Sequence, residues 1–307
     1  MKSITYSTLF ALIYAAVLSS SPTNAAVIAS EDFASYTPGV ILTGGTFDGT
    51  TGSETPETVP GGTGWDNSDG GWDSSNDPNN DGSLTRGARA LVQRTVTDSA
   101  SGIDGQSMIL EGGRDATNMA TRRFPAQTGD FYIGMDVKTD DNWGDSFFHF
   151  YANNDRANTF REGMGWGLGR DATPGPGSYF LRTEEATESS TTELDPSAVQ
   201  RVVLKLSKSG STSNYDQLSL WVDTFAVPVA QQSLEFLPGG AGDTMSVLHF
   251  RMNNEPGLGD TIMLDNIIVA TTLREAAAVP EPATGLIMAL AVVGTGFLSV
   301  RSRHRPR

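Results

Sequence analysis

The sequence predicts an all-β protein, a β-sandwich or barrel formed by a single domain, and three observations lead to this prediction. From about residue 90 onward, apolar and polar residues alternate with a period of two. The alternating segments are short and are separated by clusters of Gly, Pro, Asn and Ser, which favour turns. Outside the two ends of the chain, no amphipathic helical pattern of comparable length is found. One sandwich can absorb roughly 250 residues, so residues 26–278 are predicted as one domain.

Five segments are predicted as strands. In the first four every second residue is apolar, as expected for a strand that buries one face, and the fifth is predicted as the closing strand. The segments are Phe131–Val137, Val202–Leu206, Leu218–Val222, Leu248–Met252 and Ile262–Ala270.

Two of these regions also resemble a known family. One is the pair Val202–Leu206 and Leu218–Asp223 with the polar hairpin between them, and the other is Met263–Val269. Together they are similar to the concanavalin/laminin-G-type jelly-roll modules. The resemblance implies a jelly-roll β-sandwich. Because this family includes lectins, adhesion modules and glycosidases, the resemblance does not indicate which of these functions the protein has.

The composition excludes several classes of protein. The 307 residues contain no cysteine, which removes disulfides, thiol nucleophiles and cysteine-bound metals. The net charge of −15 argues against nucleic-acid binding, which needs clustered Lys and Arg. Five of the 21 basic residues and one of the 36 acidic residues lie outside residues 26–279, so this segment carries a net charge of −19. Such a surface is expected to repel anionic polymers and to attract divalent cations.

The N-terminus has the pattern of a secretory signal peptide. Lys2 supplies the positive charge, and Leu9–Leu18 is an apolar run too short to span a bilayer. Small residues follow, and Thr23-Asn24-Ala25 is a plausible cleavage site. Residues 1–25 are therefore predicted to be removed on export, the alternative being an N-terminal anchor helix.

The C-terminus combines three elements in order. Val279-Pro280-Glu281-Pro282 precedes an uncharged stretch of 18 residues, 283–300, which is long enough to cross a thin bilayer. A basic tail, 301–307, then follows, and arginine is retained on the cytoplasmic side of a membrane. The arginines of this tail are Arg301, Arg303, Arg305 and Arg307.

These three elements resemble the PEP-CTERM sorting signal of bacterial exported proteins. The resemblance covers residues 279–307 and implies recognition by an exosortase after export by the secretion machinery. It further implies a precursor held in the inner membrane with a cytoplasmic C-terminus, cleavage near Pro280-Glu281-Pro282, and a mature form at the cell surface or in the extracellular matrix. An ordinary tail anchor is the alternative.

The segment 43–83 differs in composition from the rest of the chain. It has ten glycines, eight acidic residues and no basic residue, and it predicts a long loop. Within it, Asp77, Asn79 and Asp81 follow the spacing of a calcium loop, with Gly82 at the sharp turn. Position twelve of that pattern is Ala88 where a bidentate Glu is usual. The alternatives are a calcium site and a solvated turn.

Four residues are candidates for binding a ligand. His149 and His249 each lie between two aromatic or aliphatic residues of a predicted strand, so both imidazoles are expected on the face opposite the core. In a curved jelly roll this face can be the concave ligand-binding face. Trp166 and Trp221 are candidates for stacking platforms under sugar rings.

No complete catalytic motif is found in the sequence. The G-x-S-x-G elbow is absent, and so is the E-x-D-x-x-E cluster of laminarinase-like relatives. We therefore predict a non-enzymatic binding or matrix module, with extracellular polysaccharide as the expected ligand. A polysaccharide hydrolase or lyase of the same fold, and a structural coat component without a ligand, remain alternatives.

Overall fold

Fourteen strands and one short helix make up the regular structure in the part of the chain that the computed structural model describes. This part comprises residues 26–36, 62–66, 72, 95–97, 103, 106–111, 117–140, 143, 146–154, 163–169, 177–183, 187–233, 242–254 and 260–278. The elements are β1 (Val27–Glu31), β2 (Thr95–Thr97), β3 (Ser107–Glu111), β4 (Thr117–Gln127), β5 (Phe131–Thr139), β6 (Ser146–Asn153), β7 (Met164–Gly169), β8 (Ser178–Arg182), β9 (Thr187–Glu193), β10 (Gln200–Ser207), β11 (Gln217–Val222), β12 (Ala230–Ser233), β13 (Met245–Asn254), β14 (Thr261–Ala270) and α1 (Leu273–Ala277). The chain divides into two units, Met1–Ala277 and Ala278–Arg307, and all these elements lie in the first.

The strands pair into two antiparallel sheets. The eight-stranded sheet has the order β12-β11-β10-β5-β14-β3-β2, with β1 paired to β14 as well. The six-stranded sheet has the order β4-β13-β6-β7-β8-β9. Each sheet contains neighbouring strands that are consecutive in the sequence and others that come from distant parts of it, as in the pair β13 and β6.

The core lies between the two sheets. Alternate residues of each strand point into it: Phe148 and Phe150 come from β6, whereas Ile133 and Met135 come from β5. Burial of each side chain of this size stabilises the folded state by about 1.5–3 kcal/mol. The face of each strand that carries these side chains is therefore the one that points inward.

Strand β14 changes partner halfway along its length. Its first residues pair with β3 and its last residues pair with β1, while β5 runs along its other side. The change falls at Asp265 and Asn266, where the register with β5 shifts and Asn266 has a φ of 48°. This bulge allows β1 to join the same edge of the sheet as β3.

Helix α1 covers part of the outward face of the eight-stranded sheet. Thr272 caps it, because its hydroxyl accepts from the Glu275 N–H and donates to the Glu275 carboxylate. The side chains beneath the helix form a second apolar cluster that includes Val203, Trp221, Ile268, Ala270 and Ala276. This helix is not predictable from the sequence, since five residues are too few to show a helical period.

The predicted β-sandwich is confirmed, and the five predicted strand segments lie within β5, β10, β11, β13 and β14. The finer jelly-roll assignment stays a prediction. The signal peptide (1–25), the sorting signal (279–307) and most of segment 43–83 lie outside the described residues. Searched over the described residues, the structure contains no helix that is both long and apolar enough to cross a membrane.

Two tryptophans of the predicted loop are part of the core. Trp65 and Trp72 are both buried, and the Trp72 ring contacts Phe33 and Phe250. Thr63 also pairs with Ser30 at the edge of β1. These two tryptophans therefore pack against the sandwich.

Candidate functional site

Six residues on the outer face of the six-stranded sheet form the candidate site. This face is the one turned away from the eight-stranded sheet. We call the set the outer-face cluster, and its members are Phe147, His149, Tyr151, Arg182, His249 and Arg251.

The strand register brings the two histidines together on this face. Strands β6 and β13 are antiparallel neighbours, with His249 opposite Tyr151 and Arg251 opposite His149. Because side chains alternate along a strand, His149 and Tyr151 of β6 share a face with His249 and Arg251 of β13. The prediction that both imidazoles face away from the core is confirmed.

The Tyr151 ring contacts both imidazoles. It stacks on His249 with the ring centroids 4.5 Å apart and the planes at 8°. The centroid of the His149 ring lies 5.0 Å from that of the Tyr151 ring. His249 Nε2 is 3.0 Å from Asn153 Oδ1, and this hydrogen bond orients the imidazole. All three rings are buried, with no more than 2% of any of them exposed.

Two arginines and a phenylalanine form the accessible rim of the cluster. The guanidinium carbons of Arg182 and Arg251 lie 5.5 and 5.8 Å from the centroid of the Phe147 ring. Both are within cation–π range. Phe147, Arg182 and Arg251 are each half-buried, whereas the imidazoles are covered. A ligand on this face would therefore meet the rim first.

Strand β7 contributes no side chains to this face. Gly165 and Gly167 lie opposite Tyr151 and His149 of β6, and the intervening residues of β7 point into the core. A Cβ at Gly163 would lie 2.1 Å from the Tyr151 ring, and one at Gly167 would lie 2.2 Å from the Phe180 ring. The glycines thus leave the room that the aromatic rings of β6 and β8 occupy.

The buried imidazole of His149 is neutral at neutral pH. Its pKa lies well below the ordinary value of 6.5, first because burial penalises the charged form and then because Arg182, Arg251 and His249 are close. Burial also raises the pKa of the Tyr151 hydroxyl, although Arg251 opposes this shift. Burial lowers the pKa of Arg251, and Arg182 adds to the lowering. Both guanidiniums therefore contribute to the low pKa of His149.

Five of the six strands in this sheet contain no acidic residue. None of β4, β13, β6, β7 and β8 has an Asp or a Glu, whereas β9, which pairs with β8, contains Glu188 and Glu193. A glycosidase places two carboxylates across the bond that it cleaves. The five strands supply no such pair, and they supply imidazole, phenol and guanidinium groups in its place.

The predicted grouping of Trp166 and Trp221 with the histidines is wrong. Trp166 is opposite Phe150, which faces the core, and it is itself buried there. Trp221 belongs to β11 of the eight-stranded sheet and lies beneath α1. Neither tryptophan reaches the outer face of the six-stranded sheet.

The predicted calcium ligands Asp77, Asn79 and Asp81 lie outside the described residues, and so do the sorting-signal residues from Val279 onward. Within the described ranges, no group of three or more His, Asp or Glu residues is arranged to hold a metal ion.

Tyr151, Arg182 and Arg251 were not identified from the sequence. Two signals could have found some of them. Tyr151 follows His149 by two residues, and Arg251 follows His249 by two residues. Each therefore shares a face of its strand with that histidine. The alternate glycines of residues 163–169 also mark a strand that leaves space on one face.

No family model and no curated protein matches this chain. Several solved structures resemble it weakly. Alginate lyase Aly36B has a TM-score of 0.41 at 11% identity, over 55% of this chain and 82% of that one. A β-1,3-glucanase from Mycobacterium marinum has a TM-score of 0.41 at 12% identity, over 65% and 90%. A glycosyl hydrolase family 16 protein from Mycobacterium smegmatis has a TM-score of 0.38 at 13% identity, over 54% and 76%. Similarity at this level does not indicate which residues act.

Proposed function

We propose that this protein is an exported surface or matrix module that binds polysaccharide on the outer face of its six-stranded sheet. The observation that carries the proposal is the outer-face cluster itself. It places aromatic rings and guanidinium donors side by side on neighbouring strands of one face. Sugars present apolar C–H faces and hydroxyl groups, so they are recognised by this combination of flat rings and fixed polar groups.

The cluster has two layers with different roles in this proposal. Phe147, Arg182 and Arg251 form the half-buried rim and contact the ligand. His149 and His249 lie below them with Tyr151, and they hold the rim in place. A ligand contact through the imidazoles themselves would require the rim to open.

Retention in polysaccharide-containing native gels tests this proposal. We expect Phe147→Ala to reduce the retention of the protein on the polysaccharide that it binds by at least tenfold, because the ring supports both guanidiniums. The matched control is Phe225→Ala, another half-buried Phe, which packs on the other sheet. No retention of the wild-type chain on any polysaccharide would refute the proposal.

A polysaccharide lyase is the second candidate, and the absence of acidic residues from the five strands favours it over a hydrolase. In a β-elimination, a base takes the proton beside the uronate carboxylate. The electron pair forms a ring double bond, the glycosidic bond breaks, and the leaving oxygen takes a proton. His249 and Tyr151 are the paired groups of suitable chemistry, and because both are buried they would reach the polymer only after the rim opens. The unsaturated product absorbs ultraviolet light. A wild-type signal that Tyr151→Phe abolishes would identify a lyase, and no signal from wild type would exclude it for the polymers tried.

The remaining assignments complete the proposal. The fold is of the concanavalin/laminin-G jelly-roll type. Residues 1–25 direct export, residues 279–307 direct exosortase sorting, and the mature form resides at the cell surface or in the matrix. Asp77, Asn79 and Asp81 bind calcium. The support for these assignments is the sequence patterns described above.

A further inference from the structure

We infer that helix α1 controls C-terminal processing: the segment that follows it binds the processing enzyme only when α1 has left the outward face of the eight-stranded sheet. The inference rests on the proposed exosortase sorting and names a regulation of that same step.

A buried arginine holds the end of α1 on the sheet. The Ala276 carbonyl accepts a hydrogen bond from Arg201 Nη2 at 2.6 Å. Arg201 Nη1 donates to Asp136 Oδ1 at 3.1 Å and to the Asn266 carbonyl at 2.8 Å. One guanidinium therefore ties α1 to β5, β10 and β14. Because an isolated helix of five residues is not stable in water, contacts of this kind decide whether α1 stays in place.

The sheet below α1 is shaped to fit it. A Cβ at Gly134 of β5 would lie 1.9 Å from the Ala276 carbonyl oxygen and 2.7 Å from Arg201 Nη2. Ala276 also belongs to the apolar cluster that contains Val203 and Trp221. The docked position of α1 therefore leaves no room for even one methyl group at Gly134, and adding one must displace the end of the helix.

The proposed processing site follows this contact closely in the sequence. Only residues 277–279 separate Ala276 from Pro280, and Ala277 still belongs to α1 and packs against the same apolar cluster. A peptide bound as an extended strand uses its backbone groups to hydrogen-bond its partner. A strand that reaches four residues back from Pro280 includes Ala276, whose carbonyl is bonded to Arg201 while α1 is docked. Processing therefore follows the fraction of molecules in which α1 has undocked.

Two measurements on the full chain test the inference. The first is cleavage by trypsin after Arg274, an exposed residue of α1, followed by mass spectrometry on the purified protein. This cleavage reports undocking without any exosortase. The second is the conversion of precursor to mature protein, followed by pulse-chase labelling in bacterial cells that express an exosortase.

Two variants loosen α1 in different ways. Gly134→Ala places a methyl group against the Ala276 carbonyl. Arg201→Lys keeps a positive charge beside Asp136, but its single ammonium group replaces the guanidinium fork that reaches three acceptors. The matched control is Gly129→Ala, because a Cβ there meets no atom within 4 Å. Thermal melts check that each variant is folded.

We expect both variants to speed cleavage after Arg274 by about tenfold or more and processing by about threefold or more, with no change in Gly129→Ala. If Arg201→Lys does not fold, Gly134→Ala decides the outcome. Global unfolding of both variants overturns the inference, because α1 would then not open separately from the domain.

The remaining outcomes separate this inference from the proposed sorting. Unchanged trypsin cleavage in both variants overturns the inference, and so does faster trypsin cleavage without faster processing. Both results leave exosortase sorting standing as long as the wild-type precursor is converted. A wild-type precursor that is never converted refutes the sorting proposal and the inference with it.

Discussion

The phenol ring of Tyr151 and the imidazole of His249 lie parallel, 4.5 Å apart, although the two strands that carry them are about 100 residues apart in the sequence. The hydrogen bond between His249 Nε2 and the accepting Asn153 Oδ1, across 96 residues, belongs to the same contact. This stack depends on close pairing of β6 with β13 on one side and with the glycine strand β7 on the other.

Gly165 tests how much the site depends on the glycine strand. A Cβ at this position would lie 1.7 Å from the Phe150 carbonyl oxygen, so Gly165→Ala must displace β6. We expect a loss of about 1–3 kcal/mol in unfolding free energy, as for other overpacked sites. The control is Gly129→Ala, because a Cβ there meets no atom within 4 Å. Urea unfolding measures both variants, and equal stability of the two would contradict the described packing of β7.

Asp265 makes the stability of the domain depend on pH. Burial raises its pKa from 3.8 to about 8. Between these values the folded state holds a proton that the unfolded chain has released, so stability falls as the pH rises through this window. Each pH unit costs about 1.4 kcal/mol for one such proton. Glu31 acts in the same direction, since burial raises its pKa to about 7.

We therefore expect the unfolding free energy to decrease by roughly 1–2 kcal/mol from pH 6.5 to pH 8. Asp265→Asn, which mimics the protonated carboxyl group, should flatten this slope. Asp243→Asn, at an exposed position, should leave it unchanged. Denaturant titrations at four pH values across this interval measure the slope, and an identical slope in wild type and Asp265→Asn would show that the group does not titrate there.

Arg201 contributes more to stability than a surface cation does. It pairs with Asp136 at 3.1 Å with both side chains buried, and its Nη2 donates to the Ala276 carbonyl of α1. Arg201→Gln leaves the Asp136 charge without this partner, and breaking a buried pair typically costs about 3–5 kcal/mol. Lys205→Gln breaks the more exposed Lys205–Asp130 pair and should cost less than about 1 kcal/mol. Denaturant unfolding compares the two, and similar losses would contradict the difference in burial.

The proposed sorting signal predicts a defect in processing. If Pro280-Glu281-Pro282 is replaced by three alanines, the unprocessed protein should accumulate in the membrane fraction, because the proposed recognition residues for the exosortase are gone. Immunoblots of fractionated cells measure the precursor and the mature form. A matched replacement of Thr271-Thr272 by alanines should leave processing intact. Normal release of the triple-alanine protein would argue against the assignment.

The calcium assignment predicts a stabilising effect of the metal. A ligand that binds only the native state stabilises it, so chelation should lower the melting temperature of the wild-type protein. The effect should vanish in Asp77→Asn combined with Asp81→Asn. A wild-type melting curve that does not change with the chelator would favour a plain turn at these positions.

Strand positions and the direction of each side chain were predictable because they are local properties. The period of two places the alternate residues of Phe131–Val137 in the core, and it places His149 and His249 on the opposite face. The same rule assigns Trp166 to the core, since it alternates with glycines on β7.

The sequence by itself determined the class of fold, the faces of the strands, the absence of thiol chemistry and the patterns at the two ends. Only the tertiary structure decided that β13 lies between β4 and β6, and therefore that Arg251, Tyr151 and His249 meet. It also decided that Trp221 lies under α1 on the other sheet. The reason is physical: alternation acts between neighbours in the chain, whereas strand pairing joins distant segments through the combined packing of the whole core, which no single segment encodes.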